Sequence, residues 1–203
     1  MARLLLIRHA PTPDTGKRLT GRLPGVSLGG DGRRLAEDLA ERLSDVELSA
    51  VYASPIERTW ETAEIVARPH GLSPVREDGL IEVDFGDWSG RTFKQLTRLK
   101  LWQTVKTTPS RVTFPGGESM ADMQRRGVAT CERLAAAAPK RTLALVSHAD
   151  VIKAIISHYL GQPFDPFQRI VISPASVSVI DLPTDGPPAV VAVNASGAER
   201  WWR

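Results

Sequence analysis

Four residues of two chemical types stand where the chain leaves apolar stretches. Arg8-His9 directly follows the run Leu4-Leu5-Leu6-Ile7, Arg58 comes shortly after Val51-Tyr52-Ala53 and Ser54, and Ser147-His148 follows Leu143-Ala144-Leu145-Val146. A guanidinium fork matches the oxygens of phosphate bidentately. Imidazole is a proton carrier or nucleophile near neutrality, its unperturbed pKa being about 6.5. Taken singly, a histidine after a strand is usually structural, and an arginine at a helix start usually lies along the surface with its head in water. Brought to one place, two of each would form a cationic pocket whose preferred ligand is a phosphate dianion.

The elements around these residues say whether they can meet. The three apolar runs read as strands buried on both faces. Leu28, Leu35, Ala36, Leu39 and Leu43 recur at helical spacing. Ser54 with Glu57 fits a capping box, with Pro55 at the first helical position and the helix running to about Arg68. Gly79 to Pro115 contains an acidic loop and an amphipathic piece around Phe93 to Val105. Ser119 with Asp122 opens a helix that lasts until Pro139, and Ile152-Ile155-Ile156-Tyr159 marks the helix after the third strand. Val177-Val179-Ile180 and Val190-Val191-Val193 read as strands around the turn at Thr184 to Pro188. Strands alternating with helices predict an α/β fold of three layers: a mostly parallel sheet, helices on both faces and an antiparallel edge near the C-terminus. One domain over 1–203 is expected, with a small cap-like insertion about 82–118. Ligands of such sheets bind beyond the carboxyl ends of the strands, which is where the four residues fall.

Composition narrows the choice of function. The 203 residues are 42% hydrophobic and 24% charged, with a net charge of +3. Basic residues alternate with acidic ones and form no stripe, so nucleic acid is not an expected partner despite a pI near 9.3. The apolar stretch at the N-terminus is too short for a signal core or a membrane span. The single Cys131 excludes a disulfide framework and fits a reducing compartment, so a cytoplasmic address and no membrane partner are expected. His9, His70, His148 and His158 show no ligand spacing, and no metal is called for. His70 is expected in a surface loop, His158 on a helix surface, and Trp201-Trp202 packed on the domain.

Leu6-Ile7-Arg8-His9-Ala10, Ser54-Pro55-Ile56-Glu57-Arg58-Thr59-Trp60-Glu61-Thr62-Ala63 and Val146-Ser147-His148-Ala149 resemble the three signatures of the histidine phosphatase superfamily. Leu80-Ile81-Glu82-Val83-Asp84-Phe85-Gly86-Asp87-Trp88-Ser89-Gly90 resembles the acidic-loop motif of its phosphatase branches. The resemblance implies that His9 is the nucleophile that becomes phosphohistidine, that Arg8, Arg58 and His148 bind phosphate oxygens, and that Glu82 is the proton donor, with Asp84 as its rival. It also places Thr20 and Gly21 in a phosphate-side loop and Gly117-Glu118-Ser119 at the pocket border. Two positions depart from the family pattern. Ala10 stands where glycine is usual and implies an ordinary backbone angle, and Thr15, or Asp14, stands where many members have asparagine.

The chemistry fits these residue types. Phosphoryl transfer spreads charge over three equatorial oxygens, so cationic positioning does most of the work. A covalent intermediate splits one hard step into two, and a carboxyl group among acids and aromatics has its pKa raised towards the acid role. The expected function is hydrolysis of a small phosphorylated metabolite without a cofactor, by a monomer or homodimer. The alternatives are a phosphomutase of the phosphoglycerate type and a non-catalytic phospho-ligand binder. Lys94, Arg98 and Lys100 are placed either to meet an anionic substrate or as a solvated helix face.

Overall fold

The computed structural model describes residues 1–197. Six strands form one sheet: β1 (Ala2–Arg8), β2 (Leu48–Ala53), β3 (Val75–Arg76), β4 (Thr142–Ser147), β5 (Val177–Leu182) and β6 (Ala189–Ala195), in the order β3-β2-β4-β1-β5-β6. β1, β2, β3 and β4 pair in parallel, while β5 and β6 run antiparallel along the C-terminal edge. The mostly parallel sheet with an antiparallel edge is the one expected.

The strand sequences explain the three layers. Leu4 and Leu6 of β1, with Leu143 and Leu145 of β4, pack into one apolar layer with α5 (Met120–Ala137) and α6 (Ala149–Tyr159). Leu5 and Ile7, with Ala144 and Val146, pack into the other with α1 (Gly30–Leu43) and α2 (Glu57–Ala67). Successive side chains of a strand point to opposite faces, so a continuous apolar run is what a sheet covered on both sides requires. Each fully buried leucine side chain contributes about 2 kcal/mol of transfer free energy. Cys131 lies inside the first layer, where burial pushes its thiol up to about 12.

The segment between β3 and α5 carries two short helices, α3 (Phe93–Leu96) and α4 (Lys100–Thr107), in place of the single amphipathic piece expected. Thr92 caps α3 in a reciprocal box with Gln95, and Leu99 is extended, so the helical track breaks between them. Leu80, Val83, Phe85, Trp88 and Phe114 tie the segment to the same layer as α5 and α6. Ser119 accepts a hydrogen bond from the Asp122 amide at the start of α5, as its pattern predicted.

The cap expected at Ser54 does not form. The helix begins two residues later, with Ile56 as N-cap and no side-chain cap bond, so Pro55 precedes the helix. Ser54 turns inward instead, and Glu57 accepts from the Gly25 amide. His70 ends a short 3-10 helix (Arg68–His70) and is half-buried, and His158 is exposed on α6. Trp201 and Trp202 lie outside the described residues. Among the described residues, no helix is long and apolar enough to cross a membrane.

Candidate active site

Parallel register brings the three strand ends together. Arg8 pairs with Ser147, and Ala53 with Val146. The sheet ladder continues one residue further, where the His9 amide donates to the Ser147 carbonyl and the Ser54 amide to the Val146 carbonyl. Arg8, His9, Ser54 and His148 are therefore fixed by backbone geometry, and Arg58 is added from the first turn of α2. His9 is 6% exposed, Arg58 2% and His148 0%.

The hydrogen bonds set the chemistry of His9. Its Nδ1 lies 2.7 Å from the Ala10 carbonyl oxygen, which can only accept, so Nδ1 carries the proton. Nε2 then has a free electron pair, and it receives Arg58 Nε at 3.2 Å. Burial holds the imidazole pKa well below its usual value, helped by Arg58 and Arg8. His9 is thus a neutral base with its nucleophilic nitrogen aimed at a guanidinium. Ala10 has no positive φ, that conformation being confined among the described non-glycine residues to Lys140, Ala175 and Asn194, so the ordinary angle expected there is observed. The Ala10 amide donates to Thr62 Oγ1, whose hydroxyl donates to the Arg58 carbonyl. Thr62 thereby links the turn at His9 to α2.

His148 packs edge-on against His9, with ring centroids 5.3 Å apart. Its Nδ1 accepts from Arg58 Nη2 at 3.2 Å, which leaves Nε2–H to donate to Ser54 Oγ at 2.8 Å. Burial, then Arg58 and His9, keep it neutral, well below the usual histidine pKa. Arg58 Nη2 also donates to the Gly21 carbonyl at 2.8 Å. Gly21 has φ +54°, and a side chain there would strike Phe85 at 2.9 Å.

Among the described residues, two guanidinium atoms are buried without a partner: Arg8 Nε and Arg58 Nη1. Arg8 spends only Nη1 on protein, donating to the Ile172 carbonyl. Burial works against the charge on both arginines, and Glu82 is the first carboxylate to offset it. A buried donor left unmatched costs about 1–3 kcal/mol, more when charged, and an anion is the ligand whose oxygens would match both.

Arg8, His9, Thr15, Thr20, Gly21, Arg58 and Glu82 all line one cavity of about 440 Å³; His148 lies beneath its floor. Asp84 does not line it. The Asp84 carboxylate accepts from the Gly86 amide and stands 3.7 Å from Arg22, so the geometry favours Glu82 over its rival. The Glu82 carboxyl is pushed up to about 7 by burial first and Asp150 second, against the opposing pull of Arg58, the Val83 amide and Arg126. Its Oε2 is 3.8 Å from His148 Nδ1, too far for a hydrogen bond. Thr15 Oγ1 accepts from the Thr12 amide, which ties its hydroxyl to its own turn. Lys94, Arg98 and Lys100 are exposed and do not line the cavity, so they form a solvated face.

The remaining walls come partly from the cap-like segment, where spacing named no individual residue, and partly from residues near 170 that the sequence did not single out. Phe93, Trp102, Val105, Ile170 and Val171 make an apolar side, and two ion pairs stand at the rim: Arg18 with Asp14 at 3.3 Å and Lys153 with Asp150 at 3.2 Å. Asp150 follows His148 by two residues, and that adjacency was the available signal. Arg22, Glu118 and Arg126 form a further group behind Glu82, whose long-range pairing leaves no local pattern.

Comparison with known proteins agrees with this arrangement. A model of the histidine phosphatase superfamily (branch 1) matches residues 4–196. Phosphoserine phosphatase 1 of Hydrogenobacter thermophilus is 31% identical over 190 residues, which cover 90% of this chain and 87% of that protein. A bifunctional protein of Mycobacterium tuberculosis is 32% identical over 96% of this chain, which spans only 54% of that longer protein. Among solved structures, YhfR of Bacillus stearothermophilus matches with a TM-score of 0.91 at 26% identity, over 98% of this chain and 99% of that one.

Proposed function

The chain belongs to the histidine phosphatase superfamily, and we propose that it hydrolyses a small phosphomonoester through a phosphohistidine at His9. The observation that carries this reading is the pair of buried guanidinium atoms without partners, Arg8 Nε and Arg58 Nη1, beside a neutral imidazole nitrogen. A phosphate dianion supplies the oxygens those donors lack and draws Arg58 off the electron pair of His9. Nε2 then attacks phosphorus in line with the leaving oxygen, the P–O bond breaks, and Glu82 gives its proton to the leaving alkoxide. A pKa near 7 makes that proton available at neutral pH. In the second step the Glu82 carboxylate takes a proton from water, whose oxygen attacks the phosphohistidine, releasing inorganic phosphate and His9. The arriving dianion favours protonation of His148, whose Nδ1 then changes from accepting from Arg58 to donating to a phosphate oxygen. Thr20 and Gly21 border the same space, and Thr15 shapes the turn beside it. No metal or other cofactor takes part in the scheme. The lone buried cysteine fits a cytoplasmic setting, with the protein acting as a monomer or homodimer.

The test is a panel of metabolite phosphates scored by phosphate release, run beside His9→Ala. Wild type is expected to trap acid-labile phosphate on one histidine and to release phosphate steadily. His9→Ala is expected to fold, to trap none, and to lose roughly four to six orders of magnitude in turnover. Phosphoryl isomerisation without phosphate release would establish the mutase instead, and binding with no turnover in wild type would establish the phospho-ligand binder.

A further inference from the structure

The Glu82 loop contains no strand; Ser147 Oγ donates to the Leu80 carbonyl and the Val83 amide to Glu82 Oε1, and three further side chains that take no part in the chemistry above grip its backbone. The Glu82 carbonyl oxygen accepts from two guanidiniums, Arg22 Nε at 2.7 Å and Arg126 Nη2 at 3.2 Å. The Glu118 carboxylate joins these two arginines: Arg22 Nη2 donates to it at 3.0 Å, and Arg126 donates through Nε at 2.7 Å and Nη2 at 3.0 Å. The same carboxylate accepts from the Asp84 amide at 3.3 Å, and the Glu118 amide donates to the Asp84 carbonyl at 2.8 Å. Arg126 Nη1 reaches back to the Gly79 carbonyl. The backbone of residues 79 to 84 is thus gripped from both sides. Glu118 is only 15% exposed, so its pairs are shielded more than surface ones. Arg22 is also the neighbour of Gly21, whose carbonyl holds Arg58, and one short loop therefore connects the phosphate floor to the acid.

We propose that Glu118, with Arg22 and Arg126, is a positioning device for Glu82 that holds the carboxyl at the leaving oxygen. The proposal rests on the acid role given to Glu82 above. The charged and titratable groups around Glu82 are Arg8 at the end of β1, Arg22 in the loop before α1, Arg58 on α2, Glu118 and Arg126 at α5, and His148 with Asp150 at the start of α6. Arg126 already pulls the Glu82 pKa down. Without Glu118, that pull is left uncompensated.

The experiment compares an alkyl phosphate such as glycerol 2-phosphate, whose leaving group needs a proton, with 4-nitrophenyl phosphate, whose leaving group does not. In Glu118→Gln, kcat/KM for the alkyl ester is expected to fall roughly 100-fold, as for a misplaced acid, with the aryl ester within about threefold of wild type. The alkaline limb of the alkyl kcat/KM profile is expected to move to lower pH by about half a unit. Arg22→Gln removes one arm of the grip from a more exposed position and is expected to show the same substrate split, which keeps the test available if Glu118→Gln fails to fold. Equal losses on both esters with an unmoved limb, in whichever variant folds, would overturn the proposal. Glu82→Gln is run alongside. If it lacks the split, the acid assignment itself fails; if it shows the split and the others do not, the assignment stands and only the positioning device is lost.

Discussion

The floor of the cavity and its acid side are built by different means. Arg8 and His9 on the floor, and His148 beneath it, sit where the paired strands β1 and β4 end, and backbone register decides their separation before any side chain makes contact. On the acid side, Glu82 sits on irregular backbone, and its position depends on ion pairs among Arg22, Glu118 and Arg126 and on the close approach of two glycines. A Cβ on Gly117 would lie 2.2 Å from the Asp84 carbonyl oxygen, and one on Gly86, where φ is +50°, would lie 2.1 Å from the Pro115 carbonyl oxygen. In the scheme proposed above, register positions the group that attacks in line, and the clasp positions the proton donor. The two regions should therefore fail differently when disturbed.

The largest effect after loss of the nucleophile is expected from Arg58→Gln, which removes a floor charge that contacts His9, His148 and Gly21 at once. Turnover should fall by roughly 10²–10³-fold on alkyl and aryl phosphates alike; a loss confined to alkyl esters would erase the distinction between floor and acid side. Gly117→Ala attacks the other region by forcing the Asp84 backbone away. Its kcat/KM for alkyl phosphates should drop by roughly 10- to 100-fold, while phosphorylation of His9 by an aryl phosphate persists. An equal loss of phosphohistidine would show the two regions to be one mechanical unit.

Asp150→Asn tests the electrostatic link between the regions. The free enzyme must carry a protonated Glu82, so kcat/KM should decline above about pH 7. Asp150 is the main charged neighbour that favours the protonated form. Its removal lowers the Glu82 pKa, and the alkaline limb should move to lower pH by about half to one unit. A shift to higher pH would refute the sign. The His9 imidazole, held well below the usual histidine value by burial and the arginines, should add no limb in the neutral range, and the acid limb should follow the second ionisation of the phosphate ester, at about pH 6.

The smallest change is expected from Ala175→Gly. Ala175 is a buried alanine with φ 55° whose amide donates to the Arg8 carbonyl at 3.1 Å. A left-handed non-glycine residue costs about 1 kcal/mol, so glycine there should raise the melting temperature by about 2–4 °C or leave it unchanged, with activity intact. A clear drop in activity would mean that the floor depends on this turn's rigidity as well as on strand register.

The same contrast decides what could be read in advance. Apolar runs ending in Arg-His and Ser-His state both the strand and the residue at its tip, so the sheet, its antiparallel edge and the floor residues were legible. Ser54 was misread because a serine three residues before a glutamate looks the same whether it caps a helix or turns inward to a histidine 94 positions away. Glu82 was legible through its motif, but not through anything that fixes its position: Arg22 lies 96 residues from Glu118, and such pairs follow no periodicity. Trp102 and Val105 fall in the stretch expected to cap the pocket, but spacing alone did not say which of its side chains would line the cavity.

The two ion pairs at the rim, Arg18 with Asp14 and Lys153 with Asp150, have a consequence for encounter with the substrate. Each sets one cation against one anion, so neither pair adds net charge to the mouth. Discrimination is deferred until the phosphate has shed its water against buried guanidiniums, where bulk salt, with a screening length of about 8 Å under physiological conditions, has little access. In the proposed scheme, recognition is then decided at contact, not during approach.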